Sequence, residues 1–106
     1  MQRDKLKILA EEMKEALGQA LKDKMSALIL FGSYARGDYS EESDLDFILL
    51  LNDRITREED EKITEISSRL SLKYDTVISC LDYLKEDFET RTSPLTLNVK
   101  KEGIRI

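Results

Sequence analysis

Residues 45–51 read Leu-Asp-Phe-Ile-Leu-Leu-Leu, apolar at every position but one. Apolar side chains on both faces exclude an edge strand with one wet side, and seven residues are few for a helix. The run is therefore read as the central strand of a sheet that needs cover on both faces. A second short run, Ser-Ala-Leu-Ile-Leu-Phe at 26–31, stops at Gly32 and reads as another buried strand. The helices that could supply the cover are visible around them. Leu6, Leu9, Met13, Leu17 and Leu21 recur at intervals of three and four, the pattern of an amphipathic helix from about residue 2 to about Asp23. Thr56 and Glu59 form a T-x-x-E capping box ahead of Ile63, Ile66 and Leu70, so a helix is expected to run on to about Ser71.

Tyr74 to Leu81, rich in β-branched and aromatic residues, reads as a third strand, with a helix from about Asp82 to Thr90 after it. Ser93-Pro94 is an N-cap followed by proline at the first helical position, and Gly103 suits the end of that last helix. The closing Ile104-Arg105-Ile106 adds a short strand or docks on the body. This order predicts an α/β or α+β fold, a small sheet covered by helices. At 106 residues the chain has the length of one domain, 1–106, able to bury roughly 65% of its unfolded surface.

Composition narrows the function. The net charge of −5 repels nucleic-acid phosphate, and no Lys/Arg stripe offsets it, so no direct nucleic-acid binding is expected. Histidine is absent, which excludes Ser-His-Asp and Cys-His nucleophilic sites and histidine-ligated zinc. The single cysteine, Cys80, has no intramolecular disulfide partner and reads as a small buried residue in a reducing compartment. No apolar run approaches the ~18 residues of a membrane span and the N-terminal stretch is charged and helical, so a cytoplasmic protein is expected.

What remains is chemistry by carboxylates, hydroxyls and cations. In a strand, Asp44 and Asp46 project from one face while Leu45 and Phe47 point to the other. Two like charges side by side raise one another's pKa unless a cation neutralises them, and hard oxygen ligands suit Mg²⁺ or Mn²⁺. Asp75, near the start of the predicted third strand, could reach the same cluster. Three carboxylates could hold two ions, the arrangement used for in-line displacement at phosphorus. Gly32 and Ser33, at a strand-to-helix turn, let backbone amides approach a phosphate, and Arg36 could place a guanidinium on the same triphosphate. No Gly-Lys-Ser/Thr follows, so the loop is not a Walker motif, and the glycine and bidentate glutamate of an EF-hand are missing. Taken singly, Gly-Ser is a common turn and Asp75 a strand-end residue meeting solvent. Joined at fixed spacing between two apolar strands, the parts make a pattern.

Gly32-Ser33, ten intervening residues and Asp44-Leu45-Asp46 resemble the GS-x10-D-x-D signature of the DNA polymerase β-like nucleotidyltransferase superfamily. The short chain, Gly-Ser-Tyr-Ala-Arg-Gly-Asp from Gly32, and Asn-Val-Lys-Lys-Glu-Gly-Ile from Asn98 resemble its minimal nucleotidyltransferases (MNT), over roughly residues 5 to 105. The resemblance implies a mixed sheet flanked by helices and Mg²⁺-dependent transfer of a nucleoside monophosphate from an NTP, ATP being the expected donor. It makes Asp44 and Asp46 metal ligands, Asp75 the third carboxylate and activator of the acceptor hydroxyl, and Gly32 and Ser33 the triphosphate-binding pair. Arg36 becomes a phosphate contact. It further implies the antitoxin partner of a HEPN-domain toxin, acting by adding AMP to a tyrosine. No C-terminal substrate domain like that of larger relatives is expected, so the acceptor is expected from a partner or second subunit. Masking of the partner by contact alone, and transfer to a small molecule, stay open as alternatives. Apolar positions in the last helix could serve an interface between copies.

Overall fold

The computed structural model describes residues 1–40 and 42–106; Glu41, in the loop expected between Ser33 and Asp44, lies outside the described residues. The apolar run at 45–51 has the neighbours it demands. As strand β2 (Leu45–Leu51) it pairs antiparallel with β1 (Met25–Phe31) on one side and parallel with β3 (Ile78–Leu84) on the other. A two-residue β4 (Ile104–Arg105) adds antiparallel to β1, completing a mixed sheet in the order β3-β2-β1-β4. The closing residues therefore do form a strand.

Among the described residues five α-helices accompany the sheet: α1 (Arg3–Leu21), the one-turn α2 (Ser33–Arg36), α3 (Arg57–Tyr74), α4 (Lys85–Thr90) and α5 (Pro94–Glu102). Alternation along the strands divides the apolar side chains between two layers. Leu45, Phe47, Leu49 and Leu51 of β2, with Leu28 and Leu30 of β1, join the stripes of α1 and α3 in the main core. Ile48 and Leu50, with Ala27 of β1, form a smaller core with Phe88 of α4 and Val99 of α5. A register shift between Met25 and Ala27 inserts one extra residue in β1, so Met25 packs with the main core and Ala27 with the smaller one. Gly103 ends α5 where a Cβ would meet the Val99 carbonyl at 2.5 Å and Ile29 at 2.7 Å, so only glycine lets the chain turn so closely into β4. Among the described residues, no helix is long and apolar enough to cross a membrane.

Three elements differ from expectation. α3 runs to Tyr74 rather than stopping near Ser71, and β3 covers 78–84 rather than 74–81. The cause lies on α1: Lys73 Nζ and Tyr74 Oη donate to Glu12 Oε1 at 2.8 and 2.7 Å, which holds the last helical turn against its neighbour. These bonds also hold the Glu12 carboxyl below the usual range, Lys73 contributing more than Tyr74. With β3 displaced along the chain, residues 82–84 are strand, and α4 starts at Lys85 rather than Asp82.

The start of α3 follows the sequence closely. Thr56 Oγ1 accepts from the Glu59 amide at 3.2 Å while Glu59 Oε1 accepts from the Thr56 amide at 2.8 Å, the reciprocal capping box. Lys24 Nζ donates to the same carboxylate oxygen at 2.7 Å, tying the helix start to the turn before β1. The Lys24 bond first, and the Thr56 amide second, hold the Glu59 pKa down to about 2 from its ordinary 4.5. Because the folded value is depressed, this contribution to stability is present above about pH 4.5 and is lost as pH falls through about 2. Glu59→Gln is accordingly expected to lower the melting temperature at neutral pH, with the difference from the parent closing toward pH 2; thermal melts across that range check it.

Candidate active site

The strand pairing brings Phe31, the last residue of β1, opposite Asp46 near the start of β2. The chain leaves β1 through Gly32 at φ 80°, ψ −157°, a region open to glycine and closed to nearly every other residue. The requirement is steric as well as torsional: a Cβ on Gly32 would lie 2.6 Å from Asp46 Oδ2. The Gly32 carbonyl then accepts the amides of Ala35 and Arg36 at 3.1 Å, and left-handed Gly37 closes the turn with its amide on the Ser33 carbonyl at 2.9 Å. A single turn has little macrodipole, so the resource it offers an anion is the amides of Ser33 and Tyr34, which no intrahelical carbonyl can satisfy. Ser33 is half-buried and Tyr34 buried. Tyr34 stacks on Tyr39 with ring centroids 4.3 Å apart, folding the following loop back onto the turn. The sequence reading missed this stack, although two tyrosines flanking Gly37 were its available signal.

Asp44 and Asp46 take their expected places on one face, since Leu45 and Phe47 between and after them enter the main core. Asp46 heads the row that continues into buried Ile48 and Leu50, yet is itself only half-buried, and Asp44 is exposed. Burial, and then the neighbouring Asp44 charge, push the Asp46 carboxyl above its usual pKa, and Arg36 partly opposes them. Arg36 donates from Nε to Asp38 Oδ2 at 3.3 Å, with Nη1 3.7 Å from Glu102 Oε2. Both contacts are long and solvent-exposed, the kind of ion pair that exchanges partners at little cost.

Asp75 does not join the pair. It is the residue that ends α3, exposed and left-handed at φ 51°, ψ 52°, three positions before β3 begins. The residues that stand beside the pair are Val77, whose carbonyl accepts from the Leu45 amide at 2.9 Å, and Ser79, the strand partner of Asp46. Among the described residues, no three acidic, histidine or cysteine side chains come together as a metal cluster. The two carboxylates nevertheless fit a divalent cation of the Mg²⁺ type, which is commonly held by one or two carboxylates with substrate phosphates supplying the rest. The mutual repulsion of Asp44 and Asp46 and the close seat of Asp46 against Gly32 are the features such an ion would use.

Three substitutions test this geometry without ligand. Gly32→Ala is expected to cost roughly 1–3 kcal/mol for the backbone alone, and more for displacing Asp46. Gly37→Ala, where a Cβ meets nothing within 4 Å, should cost only the left-handed penalty, about 1–2 kcal/mol. Urea unfolding of the pair should rank Gly32→Ala as the more damaging. Asp44→Asn, by relieving repulsion, should leave the metal-free domain melting at or above the parent temperature.

Comparison with known proteins places the chain in a family. The sequence profile of the nucleotidyltransferase domain matches residues 6–104. Two Methanocaldococcus jannaschii proteins, provisionally named protein adenylyltransferases, are similar in sequence. One is 51% identical over 73% of this chain and 78% of its own, the other 36% identical over 88% and 89%. Among solved structures, a toxin-antitoxin complex with AMP-PNP superposes with a TM-score of 0.63, 22% identity, 90% of this chain and 70% of that one. The complex of a tri-AMPylated Shewanella oneidensis HEPN toxin with its MNT antitoxin gives 0.62 at 18% identity, over 93% and 69%. A minimal nucleotidyltransferase gives 0.62 at 20% identity over 95% of both chains. The structural likenesses bear out the mixed α/β fold, and the profile match together with the sequence relatives shows that the chain belongs to the nucleotidyltransferase domain family.

Proposed function

We propose that the chain transfers AMP from ATP to a protein hydroxyl, with a tyrosine of a HEPN-domain toxin as the acceptor. The observation that carries this reading is the seating of the Asp46 carboxylate against the Gly32-Ser33 turn, which sets cation-binding and phosphate-binding groups side by side. Family membership supplies the reaction class. The name given to the two archaeal relatives supports a protein acceptor, and the toxin-antitoxin neighbours support the kind of partner.

In this scheme Asp44 and Asp46 hold Mg²⁺ or Mn²⁺, while Gly32 and Ser33 take the triphosphate through the free amides of the turn and the Ser33 hydroxyl. Arg36 exchanges Asp38 and Glu102 for a phosphate oxygen. The ion, when bound, neutralises charge on the transferred phosphoryl group and helps orient the attacking oxygen. The acceptor oxygen bonds to the α-phosphorus, the bond from that phosphorus to pyrophosphate breaks with its electron pair, and the acceptor proton leaves to solvent. A net charge of −5 favours docking of a basic partner.

Intact-mass measurement of a co-purified partner after incubation with ATP and Mg²⁺ tests the proposal. An AMP adduct is expected with the parent and should be absent, or at least about a hundredfold slower, with Asp44→Asn. A stable complex that carries no adduct with either protein would replace transfer by masking through contact alone.

A further inference from the structure

We propose that the hydroxyl of Ser79, and not the carboxylate of Asp75, closes the β3 side of the metal pocket. This rests on the reading of Asp44 and Asp46 as metal ligands. The parallel register pairs Leu45 with Ile78, Asp46 with Ser79 and Phe47 with Cys80. Residues paired across a sheet present their side chains to the same face. Ile78 and Cys80 pack against the main core together with Leu45 and Phe47, so Ser79 shares the opposite face with Asp46. Its hydroxyl is a hard, neutral oxygen donor of the sort Mg²⁺ and Mn²⁺ accept, directly or through a bound water.

Asp75 is badly placed for the same task, even if the link to β3 were straightened. Extending the pairing backward from Leu45–Ile78 puts Val77 beside Asp44 and Asp75 beside Glu42. Two residues of strand are about 6.6 Å, so Asp75 would stand a full pair beyond Asp44 rather than between the two ligands. The link is in fact anchored in its bent form: the Thr76 amide donates to the Ser71 carbonyl at 3.1 Å and the Ile78 amide to Ser71 Oγ at 3.2 Å. The site so assigned has two carboxylates and a hydroxyl, a charge of −2 where three carboxylates would give −3. Cation affinity rises with ligand charge, so the bare pocket holds its ion weakly and gains it chiefly together with nucleotide phosphates.

Mn²⁺ binding, followed by the electron paramagnetic resonance of the free ion with and without a non-hydrolysable ATP analogue, separates the assignments. Circular dichroism confirms that each variant is folded. Ser79→Asp is expected to bind Mn²⁺ at least about tenfold more tightly in the absence of nucleotide, since it adds a charged ligand. Ser79→Ala should weaken binding about two- to fivefold with the analogue present, and Asp75→Asn should stay within about twofold of the parent. A loss of tenfold or more in Asp75→Asn, or no change in both Ser79 variants, would overturn the assignment while leaving the Asp44–Asp46 site standing. Unchanged binding in Asp44→Asn would instead remove the metal reading on which it rests.

Discussion

The contact on which the site depends is the approach of one carboxylate to one glycine. Asp46 Oδ2 occupies the space where a side chain at position 32 would begin. It does so because the antiparallel pairing of β1 and β2 ends with Phe31 opposite Asp46. The turn that follows β1 and the start of β2 are thus forced into contact, although ten residues separate Ser33 from Asp44. Everything chemical in the site follows from this meeting: free amides lie on one side of the contact and a raised-pKa carboxylate on the other.

Why Asp46 is half open is a matter of coverage rather than of its own preference. The face of β2 that carries Ile48 and Leu50 is packed by Phe88 and Val99 from two short helices, six and nine residues long. The opposite face is packed by α1 and α3, which are about twice that length or more. Short cover leaves the leading end of the strand partly uncovered, and a carboxylate there retains enough water to stay ionisable. The same end of the sheet is where the chain turns through Gly32. An α/β layer with unequal cover therefore produces an open acidic ledge without any element dedicated to building it.

Much of this was legible in the sequence because it depends on local pattern. The apolar run at 45–51 demanded two neighbours, the Thr56–Glu59 capping box fixed the start of α3, and Ser93-Pro94 fixed the start of α5. Spacing alone put Asp44 and Asp46 on one face. The third strand was misplaced because what decides it is not local. The bonds from Lys73 and Tyr74 to Glu12 join residues more than sixty positions apart, and they extend α3 over a stretch whose composition favours a strand. The position of Asp75 inherits that displacement. Ser79 was passed over although a strand that turned Asp75 toward the pair would turn Ser79, four residues on, to the same face. What residues 74–84 did not reveal is how far along the pair each would stand, which the register of Ser79 opposite Asp46 decides.

An acidic chain that handles a polyphosphate has to solve an electrostatic conflict, and the arrangement of charges around the turn indicates how. The Asp44–Asp46 pair repels a triphosphate, and the nearest guanidinium, Arg36, is already engaged by Asp38 and Glu102. Neutral donors, the amides of the turn and the Ser33 hydroxyl, cannot by themselves offset two carboxylates a few Å away. A divalent cation, as proposed for this site, would change the balance, since it would neutralise the pair and could itself attract the phosphate. Arg36, whose two ion pairs are long and exposed, would then be free to leave them for a phosphate oxygen at little net cost. If the site works as proposed, the order of assembly would follow from the charges: the cation, alone or carried by the nucleotide, would be a condition of phosphate binding, and the guanidinium would respond to it.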